Sequence, residues 1–100
     1  MELTKPIIFE WDKENTNKNF SKHKVTNEET EQVFQDSLKL IVNDSLHSRE
    51  ENRFIVLGHT FNYRILSIAF TLRNNSVRVI SARDASRKER KWYEEKVNTA

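Results

Sequence analysis

Cysteine is absent from the 100 residues. That excludes disulfide scaffolds, cysteine zinc sites and thiol catalysis, and it fits a reducing compartment. Glycine and proline occur once each, at Gly58 and Pro6, against usual fractions of about 7% and 5%. A glycine-rich phosphate loop or dinucleotide fingerprint therefore has no residues to build it. No apolar run approaches the roughly 20 residues of a membrane span, and the N-terminus lacks the apolar core of a signal peptide. These absences lead to the expectation of a soluble, cytoplasmic protein with no membrane partner. Its length suits one domain over residues 1–100. Hydrophobic residues make up 36% and charged residues 32%, yet six Phe, two Trp and two Tyr can still build one modest core.

The net charge of +2 hides an asymmetry. Residues 1–52 carry seven Lys/Arg against eleven Asp/Glu, a net of −4, whereas residues 53–100 carry ten against four, a net of +6. Seven of the eight arginines (53, 64, 73, 78, 83, 87 and 90) lie in the second half. Arginine is the side chain suited to planar, bidentate phosphate contacts. The pattern is compatible with an anionic partner and equally with a solvated basic face.

Residues 7–11 read as a short strand, followed by a polar helix over 13–23 that Asp12 can cap. Thr26 and Glu29 have capping-box spacing, and the helix they open buries Val33 and Phe34 and stops near Asp36. Residues 38–42 suit a strand and 43–52 a loop. Residues 53–60 are apolar on both faces, as in a central strand. After a turn at 61–62, residues 63–72 alternate, with Leu66, Ile68, Phe70 and Leu72 on one face. Asn74-Asn75 is a hairpin turn, because Asn tolerates the left-handed conformation, and 76–83 return as a strand. Ser86 and Glu89 form a second capping box, opening a basic helix to about residue 97 with Trp92, Tyr93 and Val97 as its buried edge. The order β-α-α-β-β-β-β-α predicts an α+β fold: a small antiparallel β-sheet flanked by helices.

Strand parity sets Arg64 on the same face as Leu66 to Leu72, where an unpaired guanidinium does not belong. It must be at the open end of the strand, paired, or aimed into a cleft. Arg78 and Arg83 differ in parity, so an unbroken strand points them to opposite faces; a bulge, or a strand end near Arg83, would change that. Lys22-His23 ends the first helix, where His23 is either a general acid or base or a partner of the helix dipole. His47 and His59 have less to recommend them. Glu50-Glu51 before Arg53 is either a base or half of a loop salt bridge. With no metal-ligand spacing among the three histidines, the expectation is no metal and no cofactor. What remains is an Arg, Lys and His toolkit. It suits cleavage of RNA through its own 2′-hydroxyl and equally suits plain RNA binding.

The ordered set of motifs resembles the BrnT family of toxins. It comprises Phe9-Glu10-Trp11-Asp12, Asn19 ahead of Lys22-His23, Val25, Glu28-Glu29, Val33-Phe34-Gln35-Asp36, Glu50-Glu51-Asn52-Arg53 ahead of Gly58, Arg64-x-Leu66, and Thr71. The most specific segment is Arg78-Val79-Ile80-Ser81-Ala82-Arg83-Asp84-Ala85 followed by Glu89-Arg90 and Tyr93. The resemblance spans about residues 7 to 95. It implies a RelE-like fold and the toxin of a bacterial type II toxin–antitoxin pair. It implies an endoribonuclease that cuts mRNA without metal, leaves a 2′,3′-cyclic phosphate and inhibits translation. It also implies neutralisation by a ribbon-helix-helix, BrnA-like antitoxin, with operator DNA bound through the complex alone. The catalytic candidates are Arg64, Arg83, His23 and Lys22, and the RNA-binding candidates are Arg53, Arg78, Lys88 and Tyr93. Three positions depart from the family pattern: Lys24 where Gly is common, Asn27 for Phe, and Ser37 for Pro. A left-handed helix cap at Lys24 would cost about 1 kcal/mol relative to Gly. Two other readings stand beside this one: a non-catalytic RNA-binding module, and a degenerate toxin serving as a co-repressor subunit.

Overall fold

The computed structural model describes residues 3, 5–47 and 51–99. Its elements run β1 (Ile8–Glu10), α1 (Lys13–His23), α2 (Asn27–Val33), β2 (Leu40–Asn43), β3 (Arg53–His59), β4 (Ile65–Arg73), β5 (Ser76–Asp84) and α3 (Arg87–Thr99). The five strands form one sheet in the order β1-β5-β4-β3-β2. The α+β class and the element order are as the sequence predicts. One pairing differs. β2 to β5 are antiparallel neighbours, but β1 joins β5 in parallel, with Ile8 opposite Ser76 and Glu10 opposite Arg78. Two helices separate β1 from the hairpins, so no tight turn dictates its direction.

Local chemistry accounts for the boundaries. Asp12 caps α1 by accepting from the amides of Glu14 and Asn15. Thr26 and Glu29 complete the reciprocal capping box of α2. Ser86 and Glu89 do the same for α3, with Ser86 N donating to Glu89 at 2.8 Å and Glu89 N to Ser86 Oγ at 3.2 Å. Asn74 and Asn75 both take positive φ, 51° and 68°, as a two-residue hairpin turn requires. The preceding turn is longer than the sequence suggests. Tyr63 has φ 62°, and Thr60 and Arg64 are linked backbone to backbone at 2.9 Å. Arg64 therefore lies in the turn, and β4 begins one residue later.

The core lies on one face of the sheet. Val56, Leu66, Ile68, Phe70, Val77, Val79 and Ala82 pack there against Val25, Val33 and Phe34 of the helical layer. Phe34 meets both Phe9 and Phe70 edge-on at 5.2 Å. Gly58 is a steric necessity: an added Cβ would stand 2.9 Å from Val33 Cγ1 and 3.1 Å from Asp36 Oδ2. α1 has few apolar anchors and is held by amides instead. Asn15 Nδ2 donates to Val79 O at 3.4 Å, and buried Asn19 accepts from Ala82 N at 3.1 Å. Both bonds fall just beyond Arg78, where pairing with β1 stops, so α1 protects the remaining edge of β5. α3 lies across the His59 end of the sheet, where Tyr93 is buried and Trp92 is exposed. Among the described residues, no helix is long and apolar enough to cross a membrane.

Candidate functional site

The face opposite the core is shaped by a bulge. The register of β4 and β5 shifts between Ala69 and Phe70: Ala69 pairs with Ser81 and Phe70 with Val79, which leaves Ile80 as the extra residue. That single insertion reverses parity along β5. Arg78 pairs with Thr71 and Arg83 with Ser67. Thr71 and Ser67 are four residues apart on one strand, so both arginines project from the same face. Arg53 pairs with Thr71 from the other side. The outer face thus carries three rows: Arg53, Thr71 and Arg78; Ile55, Ala69 and Ser81; Leu57, Ser67 and Arg83. The first and last rows are about 13 Å apart at strand rise.

The first row opens into a cleft of about 750 Å3, lined by Asn15, Leu46, His47, Glu51, Arg53, Thr71, Arg78 and Ile80. The nearest anion to Arg78 is Asp12, at 3.9 Å. Thr71 Oγ1 is buried between the two arginines, next to the Glu51 carboxylate. Glu51 is tied to Arg73 at 2.6 Å, and that guanidinium holds its carboxyl below the usual range. His47 Nδ1 donates to Asp44 Oδ2 at 2.9 Å, and Asp44 in turn donates its amide to the carbonyl of Arg53 at 2.8 Å. Glu50 lies outside the described residues.

Arg83, at the other end of the face, is partly committed. It donates to both oxygens of Glu89 at 2.8 and 3.2 Å and to the carbonyl of Asp84 at 3.1 Å. Burial raises the Glu89 pKa, but Arg83 and the Ser86 amide outweigh it and bring it down to about 2. Glu89 also accepts from Ser67 Oγ at 3.2 Å. The side chain of Arg83 remains 42% exposed, enough to meet a ligand on the face.

Arg64 is used differently. Its Nε and Nη2 donate to the two oxygens of Asp84 at 2.7 and 3.1 Å. Nη1 donates to Lys24 O at 2.8 Å and Glu29 Oε2 at 3.1 Å, and Nη2 to His23 O at 2.8 Å. Five bonds use the five N–H groups a guanidinium has. The Asp84 contact raises the Arg64 pKa further and lowers that of Asp84. Arg64 therefore joins the end of α1, the start of α2 and the end of β5. Part of what it grips is strained: Lys24 adopts the left-handed conformation, φ 56° and ψ 38°.

The sequence candidates therefore separate. Arg53, Arg78 and Arg83 share the outer face. Lys22 and His23 sit with Arg64 at the end of α1, Lys22 exposed and His23 half-buried. Lys88 is exposed on the first turn of α3. Tyr93 is buried, with its hydroxyl donating to Asp36; burial and that carboxylate raise its pKa well above the ordinary phenol value. His47 is the group sequence reasoning passed over. Its signal was weak, an Asp three residues earlier in a polar loop, because its cleft neighbours Thr71 and Arg78 are far away in the chain.

Comparison with known proteins adds the following. Residues 11–89 match the family of ribonuclease toxins, BrnT, of type II toxin–antitoxin systems. Among solved structures, the chain is similar to the Brucella abortus ribonuclease toxin BrnT, at 19% identity and a TM-score of 0.61, over 81% of this chain and 99% of that one. At that identity the likeness speaks for the fold. No curated protein matches.

Proposed function

The chain belongs to the BrnT family of ribonuclease toxins of type II toxin–antitoxin systems, and from that premise we propose that it cuts RNA on the outer face of its sheet. The observation that carries this reading is the bulge, which brings Arg83 onto the same face as Arg53 and Arg78. Arg53 and Arg78 hold the scissile phosphate and stabilise the charge that grows on it in the transition state. Thr71 lies between them in the sheet register. Arg83, pre-set by Glu89, holds the strand further along, and Lys88 adds attraction without direction. Arg64 acts as a positioning residue that fixes the α1–α2 junction, with Lys22 and His23 beside it. Tyr93 anchors α3 through Asp36.

The reaction is transesterification by the RNA's own 2′-oxygen, giving a 2′,3′-cyclic phosphate and a 5′-hydroxyl. Guanidinium groups supply the positive charge, so the route calls on no metal. The RNA attacked is mRNA, translation falls as a result, and the protein acts in the bacterial cytoplasm. Its neutralising partner is a ribbon-helix-helix antitoxin, and operator DNA is met through that complex.

The test is digestion of a labelled RNA by the purified, antitoxin-free protein with excess chelator. Cleavage that persists, with a cyclic phosphate on the 3′ end, is the expected result. Loss of cleavage on chelation would overturn the metal-free route. Salt-sensitive binding with intact RNA would favour a binding module instead.

A further inference from the structure

We propose that His47 takes the 2′-hydroxyl proton during RNA cleavage and that Asp44 is its positioning residue. The proposal rests on the reading of the outer face as the RNA site. Of the described residues lining the cleft, His47 and Glu51 are the two whose side chains could act as a general base. Glu51 is disqualified by its 2.6 Å contact with Arg73, which keeps it ionised and weakly basic. His47 has the opposite setting. Its Nδ1–H is donated at 2.9 Å to Asp44, which as a carboxylate can accept but not donate. That bond fixes the tautomer and leaves the lone pair on Nε2. The side chain is 62% exposed and that of Asp44 13% exposed, so the imidazole is reachable while its orienting partner is not. Among the described residues, the charged groups around the cleft are Asp44 on the loop of His47, Glu51 just before β3, Arg53 at its start, and Arg78 from β5 with Asp12 behind it.

The other two histidines are placed elsewhere. His59 bonds the carbonyl of Thr60 at 2.9 Å and stands 3.7 Å from Asp36, at the opposite end of β3 from Arg53. His23 lies at the end of α1, where Arg64 grips its carbonyl.

The step balances without a co-reactant. His47 Nε2 accepts the 2′-hydroxyl proton as the 2′-oxygen bonds to phosphorus. The bond from phosphorus to the 5′-oxygen breaks, and that oxygen takes a proton from water. The imidazolium returns its proton to the hydroxide so formed.

The experiment compares the full-length parent with His47→Gln. Cleavage of a labelled RNA is followed with protein in excess between about pH 5 and 8. Binding is measured with the same sequence carrying 2′-O-methyl groups, which cannot react. The expected result is a loss of about 100-fold or more in cleavage, with binding within about 3-fold. The limb of the parent's rate–pH profile in that range should be missing from the residual activity. A variant that cuts within about 3-fold of the parent, or keeps the parent's pH profile, overturns the role of His47 and leaves the outer-face reading standing. A parent that cuts no RNA overturns both.

Discussion

Arg64 and Arg78 stand at opposite ends of the β4–β5 pair in opposite surroundings. Arg64 spends all five N–H groups on Asp84, Glu29 and two helix-end carbonyls. Arg78 faces a cleft, with its nearest carboxylate oxygen at 3.9 Å. The difference teaches how to read an arginine-rich chain. A guanidinium whose donors are all met inside the protein holds the fold, and releasing it for a phosphate would leave carbonyls and carboxylates without their partner. One that faces open space beside another arginine is ready for an anion.

The sharpest way to break this contrast is to remove each kind separately. Replacing Arg78 by Ala should lower RNA cleavage by about 100-fold or more, with unfolding free energy changed by about 1 kcal/mol or less. Arg64→Ala should do the reverse. It should cost about 2–3 kcal/mol in denaturant unfolding, while cleavage per folded molecule stays within a few-fold of the parent. If Arg64→Ala folds normally but cuts no RNA, the two roles are the wrong way round.

Acid sharpens the comparison at the Arg83 end. The folded-state pKa of Glu89 is about 2, below its ordinary 4.5. Its stabilising contribution is therefore complete above about pH 4.5 and disappears as the pH falls toward 2. Denaturant melts of Glu89→Gln across pH 2–6 should show a flatter dependence than the parent, because the variant lacks that proton uptake. The smallest effect belongs to the strained cap that Arg64 holds. Lys24→Gly should stabilise the fold by about 1 kcal/mol, since glycine takes φ 56° without penalty.

Much of this was legible in the chain itself. The two capping boxes and the Asn74-Asn75 turn follow from local hydrogen-bonding chemistry, and they form as written. The outer face did not follow, because a one-residue bulge at Ile80 decides whether Arg78 and Arg83 agree. No composition or periodicity announces a bulge. Arg64 is paired, one of the outcomes its apolar neighbours allow, but it belongs to a turn held by Thr60 and a positive-φ Tyr63, so strand alternation does not govern it. α1 looked weak because its attachment is two asparagines against the β5 backbone, which a search for apolar stripes overlooks. His47 was invisible for a spatial reason: folding brings it to the same cleft as Arg78, and nothing in the intervening sequence records that.

The account's central claim is that the outer-face arginines, and not Arg64, receive the RNA. The most direct measurement is a titration of the isotopically labelled protein with a 2′-O-methyl RNA, following the Nε–H signals of its arginines by NMR. The account predicts that Arg53, Arg78 and Arg83 move and Arg64 stays. A titration in which Arg64 shifts while Arg53 and Arg78 remain still would contradict it.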